Sequence, residues 1–259
     1  MQVKSDSNVK DGPPSLGGPA PMFDAATVKA IAGINWSSVG RQVNAEGFAV
    51  VPEILSREQC DMLVSLYDDA PRFRSRIVME RYAFGRGEYK YFGHPLPDLV
   101  TGLRRTIYRH LAPIANEFHE RMGLPERFPP DLAAFSEICK KAGQVRPTPL
   151  MLRYGPGDYC CLHQDLYGEH VFPFQVVFLL AEPGRDFEGG EFMLIDSDPK
   201  WPGRAEVVPL SQGDAVVIAV NSRPQPGARG YYRVRMRHGV SELRSGHRQT
   251  LGIIFHDSK

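Results

Sequence analysis

The chain of 259 residues has few cysteines and no long apolar segment. Its four cysteines, Cys60, Cys139, Cys160 and Cys161, form no C-x-x-C pair, which argues against a zinc ribbon or a thioredoxin-like redox motif. We expect them to be free thiols in a reducing compartment. The longest apolar run, VFPFQVVFLLA, is too short to span a bilayer and contains Pro173, so we expect no membrane association.

The chain also lacks an excess of charge of either sign, with 31 Lys and Arg against 30 Asp and Glu. A global attraction to nucleic acid or membrane is therefore excluded, and only a local patch could bind a polyanion. Residues 1–22 contain neither an apolar signal segment nor many large apolar side chains, and they are rich in Gly, Pro and Ser. We expect a disordered tail there and a cytoplasmic protein.

The remaining residues, 23–259, are long enough for one domain and show two kinds of periodicity. Apolar residues between about 24 and 141 recur mostly at helical spacing and predict, among others, a helix over 98–122. From about 147 to 256, turn residues separate short β-branched and aromatic runs such as DAVVIAV. Alternating βαβ units are absent, which argues against Rossmann and TIM folds. We predict an α+β domain in which N-terminal helices support a jelly roll.

A histidine and an aspartate two residues apart, His163 and Asp165, lie in the stretch CLHQDLYGEH. Residues two apart on a strand point to the same side, so an imidazole and a carboxylate would converge on one point. Two histidines and one carboxylate are the ligand set of non-haem Fe(II) oxygenases. His238 is the preferred third ligand because a jelly roll brings its first and last long strands together, while His170 and His247 remain alternatives.

Arg248 follows His238 across a Ser-Gly turn and enters the final strand. A buried guanidinium needs an anionic partner, which is either a carboxylate of the protein or a carboxylate of a ligand. Both partners remain open at this point. Thr250 lies on the same side of the strand as Arg248 and offers a further hydrogen bond to a ligand.

Taken together, the segments HQD, GGEF, QGDAVVI and RHGVSELRSGHRQTLGIIF resemble the Fe(II)/2-oxoglutarate-dependent dioxygenase superfamily, above all its prolyl 4-hydroxylase-like branch. The resemblance covers roughly residues 147–256 and implies a double-stranded β-helix. It implies three iron ligands, namely His163, Asp165 and His238. It further implies that Arg248 binds the far carboxylate of 2-oxoglutarate. Tyr154, which we place on the same strand as the first histidine, becomes a candidate contact for 2-oxoglutarate or else a core tyrosine.

The resemblance also implies an activity and its cofactors. Such an enzyme requires Fe(II), 2-oxoglutarate and O2, with ascorbate as an optional addition, and it hydroxylates its substrate. The iron carries out the difficult chemistry, and the protein supplies geometry, charge and exclusion of water. We therefore expect no side chain to act as a catalytic acid or base.

Two stretches that mix aromatic and basic residues bear on the substrate. RIVMERYAFGRGEYKYFGHPLP contains Arg86, Tyr89 and Tyr91, and SRPQPGARGYYRVRMRH contains Arg233. Stacking faces next to cations suit an unstacked base or a single strand. A hairpin whose aromatic side chains pack on the barrel is the alternative for the first stretch. The whole pattern also resembles a bacterial subgroup of the superfamily that is proposed to modify nucleic acid bases.

Three functions remain open on this basis. The first is oxidative dealkylation or hydroxylation of a base in single-stranded or alkylated DNA or RNA, as repair or modification. The second is hydroxylation of a protein side chain such as proline. The third is a non-catalytic jelly-roll binding module in which the histidine and the aspartate are structural.

Overall fold

The computed structural model describes residues 22–166, 168–198 and 203–259, and the tail predicted over residues 1–22 lies outside them except for Met22. The N-terminal half of the described chain contains five α-helices. They are α1 (Ala25–Ala32), α2 (Trp36–Glu46), α3 (Arg57–Leu66), α4 (Asp98–Arg121) and α5 (Leu132–Lys141). None of these helices has the length and apolar content that crossing a lipid bilayer requires.

Local signals explain where the helices begin and end. The Ser56 hydroxyl accepts a hydrogen bond from the Gln59 backbone N–H, and the Gln59 side chain accepts one from the Ser56 N–H, so a capping box opens α3. The helix predicted over 98–122 is confirmed as α4. It ends at Met122 and Gly123, the latter with a φ of +67° that ends a helix at low cost.

The strands follow one another through most of the chain. They are β1 (Phe48–Val51), β2 (Phe73–Val78), β3 (Gly85–Arg86), β4 (Glu88–Phe92), β5 (Leu150–Tyr154), β6 (Tyr159–His163), β7 (Phe174–Leu179), β8 (Phe187–Gly189), β9 (Phe192–Ser197), β10 (Arg204–Val208), β11 (Ala215–Ala219), β12 (Ser222–Gly227), β13 (Gly230–Val240), β14 (Leu243–Gly246) and β15 (Arg248–Ile254). A seven-stranded sheet has the order β1–β11–β7–β15–β5–β4–β2, and a second sheet contains β10–β9–β13–β6–β3 with β12 paired to β13. All of these pairs are antiparallel.

One part of the sequence interpretation needs correction. The region from about 24 to 141, predicted as mostly helical, also contributes β2, β3 and β4 in addition to the short strand β1. β4 has the sequence EYKYF, whose aromatic residues alternate with charged ones at the two-residue period of a strand. It pairs with β5 and extends the larger sheet beyond the predicted jelly roll.

The larger sheet is covered on both faces, which explains why every side chain of β7 is buried. Phe174, Val176 and Phe178 belong to a core shared with the helices. Val177 and Leu179, which alternate with them, belong to a second core shared with the smaller sheet. The predicted α+β architecture is thus confirmed: helices support one face of a two-sheet jelly roll, and the other face lines its interior.

Candidate active site

The three predicted metal-binding residues lie together at the end of the smaller sheet. His163 is the last residue of β6 and pairs directly with His238 on β13, so their ring centroids are 4.3 Å apart. Asp165 follows just beyond β6, and its carboxylate oxygens lie 3.5 Å from His163 Nε2 and 3.4 Å from His238 Nε2. All three candidate ligand atoms lie within 4.8 Å of one another, which makes this a group able to hold a metal ion.

Gly239 allows the two histidine-bearing strands to approach this closely. The pairing of β13 with β6 is irregular between His238 and Val240. A Cβ atom on Gly239 would lie 2.7 Å from the Cys160 carbonyl oxygen, closer than a carbon atom can pack there. The close approach of the two strands therefore requires a glycine after the histidine in RHGVS.

Hydrogen bonds orient the HQD segment. The Nδ1 atom of His163 lies 2.8 Å from the Cys161 carbonyl oxygen, and because a carbonyl only accepts, Nδ1 carries a proton and Nε2 faces Asp165. The amide of Gln164 donates to the backbone oxygens of Asn221 and Met236, at 2.7 and 2.8 Å. The middle residue of the motif thus fastens the segment to the start of β12 and to β13.

The electrostatics of the three residues favour a bound cation. Burial alone would raise the pKa of the Asp165 carboxyl, but hydrogen bonds from His163 and His238 lower it well below its ordinary value. Burial alone would lower the pKa of His163, whereas its hydrogen bonds to Asp165 and Cys160 raise it to about 11. Burial, together with the nearby His163, lowers the pKa of His238. The buried Asp165 carboxylate therefore stays ionised and needs a cation beside it, which is the protonated His163 in the metal-free protein and would be the metal ion in the loaded site.

Arg248 is buried in the same cavity without a partner from the protein. Its side chain is 2% exposed, its Nε atom has no hydrogen-bond partner, and no described carboxylate forms an ion pair with it. Burial lowers the pKa of the guanidinium. Of the two partners that the sequence left open, an acid of the protein is therefore not found among the described residues. A buried unpaired cation is costly, which favours an anionic ligand.

Tyr154 and Thr250 surround this guanidinium from the larger sheet. Tyr154 on β5 pairs directly with Arg248 on β15, and its buried hydroxyl has no hydrogen-bond partner among the described residues. Thr250 lies two positions along β15 and is buried as well. Our placement of Tyr154 on the same strand as His163 was wrong. The turn GPGD separates them, so Tyr154 belongs to the larger sheet and His163 to the smaller one.

The cavity between the two sheets has a volume of about 330 Å³. It is lined both by the three predicted metal ligands and by Arg248 with its neighbours Tyr154 and Thr250. The metal-binding residues are carried by the smaller sheet and the segment after it, whereas Arg248, Tyr154 and Thr250 belong to the larger sheet. Most of the remaining wall is apolar or aromatic. It includes Met79, Phe84, Tyr89, Tyr91, Leu150, Leu152, Leu166, Val177, Phe192 and Val240.

The residues predicted to contact the substrate divide into two pairs. Tyr89 and Tyr91 line the cavity and pack edge to face with ring centroids 5.5 Å apart. Arg86 and Arg233 do not line it. Arg86 is exposed beside Glu80, with 3.7 Å between Nε and Oε1. Arg233 lies an odd number of positions from the metal-binding histidine of β13 and is exposed on the other face. Contact of either arginine with a substrate stays a prediction.

Sequence reasoning missed two residues of the cavity, Phe84 and Gln175. Phe84 is 46% exposed at the cavity wall, and its ring meets that of His163 edge to face at 6.1 Å. Its conformation is set by Ala83, which has a φ of +58°, and by the Cys161 N–H, which donates to the Phe84 carbonyl oxygen. Gln175 carried a readable signal, because it is a polar residue inside the apolar run FQVVFL.

Comparison with known proteins agrees with this geometry. Residues 87–258 match the model of a family described as an oxygenase catalysing oxidative methylation of damaged DNA. The chain belongs to this oxygenase family. An uncharacterized protein of Mycobacterium tuberculosis, found in two strains, is 40% identical over 176 residues, which cover 68% of this chain and 76% of that protein.

Solved structures similar to this oxygenase include two prolyl hydroxylases. A prolyl 4-hydroxylase from Pseudomonas putida has a TM-score of 0.53 at 14% identity, covering 86% of this chain and 99% of its own. A prolyl hydroxylase from Trichoplax adhaerens, in complex with a hypoxia inducible factor peptide, has the same TM-score and identity and covers 89% and 91%. At this identity the likeness shows the fold, a double-stranded β-helix.

Proposed function

We propose that this oxygenase oxidises bases in nucleic acid, with Fe(II) bound by His163, Asp165 and His238 and 2-oxoglutarate bound by Arg248. One observation carries the proposal: the charged triad and an unpaired buried guanidinium face the same cavity. Two imidazoles and one carboxylate are the donor set that Fe(II) oxygenases use, and they leave coordination positions open for other ligands.

The residues present also fit 2-oxoglutarate. Its far carboxylate is the bidentate anion that the Arg248 guanidinium lacks, and the Tyr154 hydroxyl is a second buried group without a partner. Thr250 adds a hydroxyl on the same wall. Binding the dicarboxylate would therefore satisfy polar groups that the protein leaves unpaired.

When bound, iron with 2-oxoglutarate and O2 supplies an oxidant able to hydroxylate a C–H bond, and the side chains do the rest. His163 and His238 hold their Nε2 atoms toward one point, Asp165 supplies the compensating charge, and Arg248 fixes the orientation of the cosubstrate. The apolar wall keeps water away from the reacting atoms. None of these steps requires a side chain to donate or remove a proton.

The substrate half of the proposal is supported by the cavity wall and by the family description. A planar base placed in the cavity would meet the rings of Phe84, Tyr89 and Tyr91, which offer stacking and edge contacts. The apolar character of the wall suits an alkylated base, whose added methyl group would lie near the metal. Hydroxylation of an N-methyl group yields a hydroxymethyl group that leaves as formaldehyde, so repair follows from hydroxylation.

Mass spectrometry can test this proposal directly. Single-stranded oligonucleotides carrying methylated bases and proline-rich peptides are incubated separately with the protein, Fe(II), 2-oxoglutarate and O2. We expect succinate in a 1:1 ratio to demethylated or hydroxylated base, lost in the Asp165→Asn variant and retained in the control variant Arg57→Gln, whose exposed side chain does not line the cavity. A hydroxylated peptide with unchanged oligonucleotides would contradict the nucleic acid substrate and favour the prolyl-type alternative. Absence of succinate with every substrate would contradict the assigned cofactor residues.

A further inference from the structure

Gln175 is an unexpected residue in a strand that is otherwise entirely apolar. Its neighbours on β7 are aromatic or aliphatic, and all six side chains of the strand are buried. Gln175 itself is 5% exposed. Burying an amide without satisfying its hydrogen bonds is costly, so a glutamine at this position requires a partner.

The strand period directs this side chain into the cavity. Phe174 and Val176 on either side of Gln175 pack against the helices, and Val177, two positions along, faces the smaller sheet. Gln175 therefore faces the cavity, which it lines. Its Nε2 atom lies 3.2 Å from His238 Nε2, and its Oε1 atom is buried without a hydrogen-bond partner.

The contact with His238 conflicts with the proposed role of that histidine. The same Nε2 atom lies 3.4 Å from Asp165 Oδ2 and is the atom that the triad would offer to a metal. Whether this nitrogen carries a proton or a lone pair, coordinating a metal takes up its one bonding position, so it cannot keep the hydrogen bond to the amide and hold the metal as well. Loading the site with a metal must therefore release the amide of Gln175.

Once released, the amide of Gln175 needs a new hydrogen-bond partner in the cavity. Its oxygen already lacks a partner among the described residues. The strand neighbour on the cavity face, Val177, offers no side-chain polar atom. A ligand next to the metal would supply such a partner, and the N–H groups of an amide suit an anionic oxygen.

We propose that Gln175 binds the keto-acid end of 2-oxoglutarate beside the metal, while Arg248 binds the opposite end. The inference rests on the proposed function, since it requires a metal on the triad and 2-oxoglutarate in the cavity. Gln175 is thus a positioning residue that changes partners: it hydrogen-bonds His238 in the metal-free protein and the cosubstrate in the loaded protein. It is distinct from the three metal ligands and from the guanidinium contact.

Binding measurements without turnover test this assignment. Mn(II) replaces Fe(II), and calorimetry measures first the affinity for Mn(II) alone and then the affinity for 2-oxoglutarate at saturating Mn(II). The full-length wild type is compared with Gln175→Leu. Gln249→Leu is the matched control, because Gln249 is also a buried glutamine but does not line the cavity. Gln175→Met, which keeps the length of the side chain, replaces the leucine variant if that variant does not fold.

We expect two effects of opposite direction. The Gln175 variant should bind Mn(II) at least as tightly as the wild type, because no amide competes for His238, and bind 2-oxoglutarate about tenfold more weakly, the loss of one hydrogen bond to a charged group. The Gln249 variant should match the wild type in both affinities. A purely structural role would not produce this pair of effects.

The possible outcomes distinguish a failure of this inference from a failure of the proposed function on which it rests. Unchanged affinity for 2-oxoglutarate in the Gln175 variant overturns the inference and leaves the proposed function standing. Weaker binding of Mn(II) alone also overturns it, since Gln175 would then be a metal ligand. A wild type that binds neither Mn(II) nor 2-oxoglutarate overturns the proposed function, and this inference with it.

Discussion

Arg248 and Tyr154 lie directly opposite each other on two paired strands, both buried, and each keeps a polar atom without a partner. A protein interior rarely leaves two such groups together unsatisfied. We propose that the pairing of β5 with β15 places these two groups to bind one carboxylate together.

Replacing Arg248 by Lys tests this arrangement. Lysine keeps the charge but loses the planar fork that pairs with a carboxylate bidentately, so we expect KM for 2-oxoglutarate to rise about a hundredfold, or roughly 3 kcal/mol. Tyr154→Phe should raise it about tenfold. Succinate formation at varied 2-oxoglutarate measures both values. Arg244→Lys, at an exposed position outside the cavity, serves as the control, and an equal rise there would contradict the assignment.

Gly190, within the segment GGEF, gives Arg248 its space. It has a φ of +61°, and a Cβ atom there would lie 2.7 Å from Leu243 Cδ1 and 3.0 Å from Arg248 Cδ. We expect Gly190→Ala to lower the free energy of unfolding by about 1–3 kcal/mol and to raise KM for 2-oxoglutarate severalfold. Denaturant unfolding and succinate formation measure the two effects.

The control for that prediction is Gly184→Ala. Gly184 has a similar φ of +78°, but a Cβ atom there meets nothing within 4 Å. It should suffer the backbone strain alone, so the free energy of unfolding should fall while KM stays at the wild-type value. A rise of KM in both variants would show that strain, rather than displacement of the arginine, is responsible.

Replacing Phe84 should weaken the reaction with the nucleic acid substrate and leave the turnover of 2-oxoglutarate unchanged. If a base packs against its ring, Phe84→Ala should lower kcat/KM for a methylated oligonucleotide about tenfold, since stacking on an aromatic side chain is worth about 1–3 kcal/mol per base. Turnover of 2-oxoglutarate without substrate should persist. Tyr82→Ala is the control, because Tyr82 is 60% exposed and does not line the cavity. Equal losses in both variants would contradict a specific role for Phe84.

His256 should make the stability of the protein depend on pH. The side chain is buried, its Nδ1 accepts a hydrogen bond from the Phe172 N–H, and burial, with the nearby charge of Arg104, lowers its pKa from 6.5 to about 4. The unfolded chain therefore takes up this proton near pH 6.5, whereas the folded protein does not. The contribution of neutral His256 to the free energy of unfolding is therefore complete above pH 6.5. It is lost as the pH falls toward 4, by about 3 kcal/mol in all.

Urea unfolding between pH 7 and pH 4 measures this effect. His256→Asn, which retains an acceptor for the Phe172 N–H, should lose less stability over that range than the wild type. The exposed His94→Asn variant should follow the wild type. A wild type and a His256 variant with parallel curves would show that other groups cause the pH dependence.

The sequence predicted the metal-binding residues because their geometry follows from local rules. Residues two apart stay together at a strand end, and the order of strands in a jelly roll brings His238 to them. Arg248 was identified by the same logic. The relation of Tyr154 to His163 was not, because the turn between them moves the chain from one sheet to the other, and a linear pattern does not state which sheet a strand joins.

Of the predicted substrate residues, Tyr89 and Tyr91 line the cavity whereas Arg86 and Arg233 do not, and contact of any of them with a substrate stays a prediction. Arg233 is basic and near His238 in the sequence, but an odd separation on one strand sends the two side chains to opposite faces. That parity was readable from the sequence. The orientation of Phe84 was not, since it depends on the left-handed backbone of Ala83 and on a hydrogen bond to a distant strand.

The predicted metal ligands lie on the smaller sheet and the segment after it, whereas Arg248 and Tyr154 lie on the larger sheet. The apolar layer between the sheets therefore sets the distance between the two parts of the proposed active site. Metal affinity depends on the smaller sheet and the segment that follows β6. The affinity for 2-oxoglutarate depends on the distance between the larger sheet and the end of the smaller sheet at which the metal would bind. Changes in side-chain volume within the intervening layer, at positions such as Val216 or Leu194, can therefore tune the affinity for 2-oxoglutarate while the metal centre stays constant.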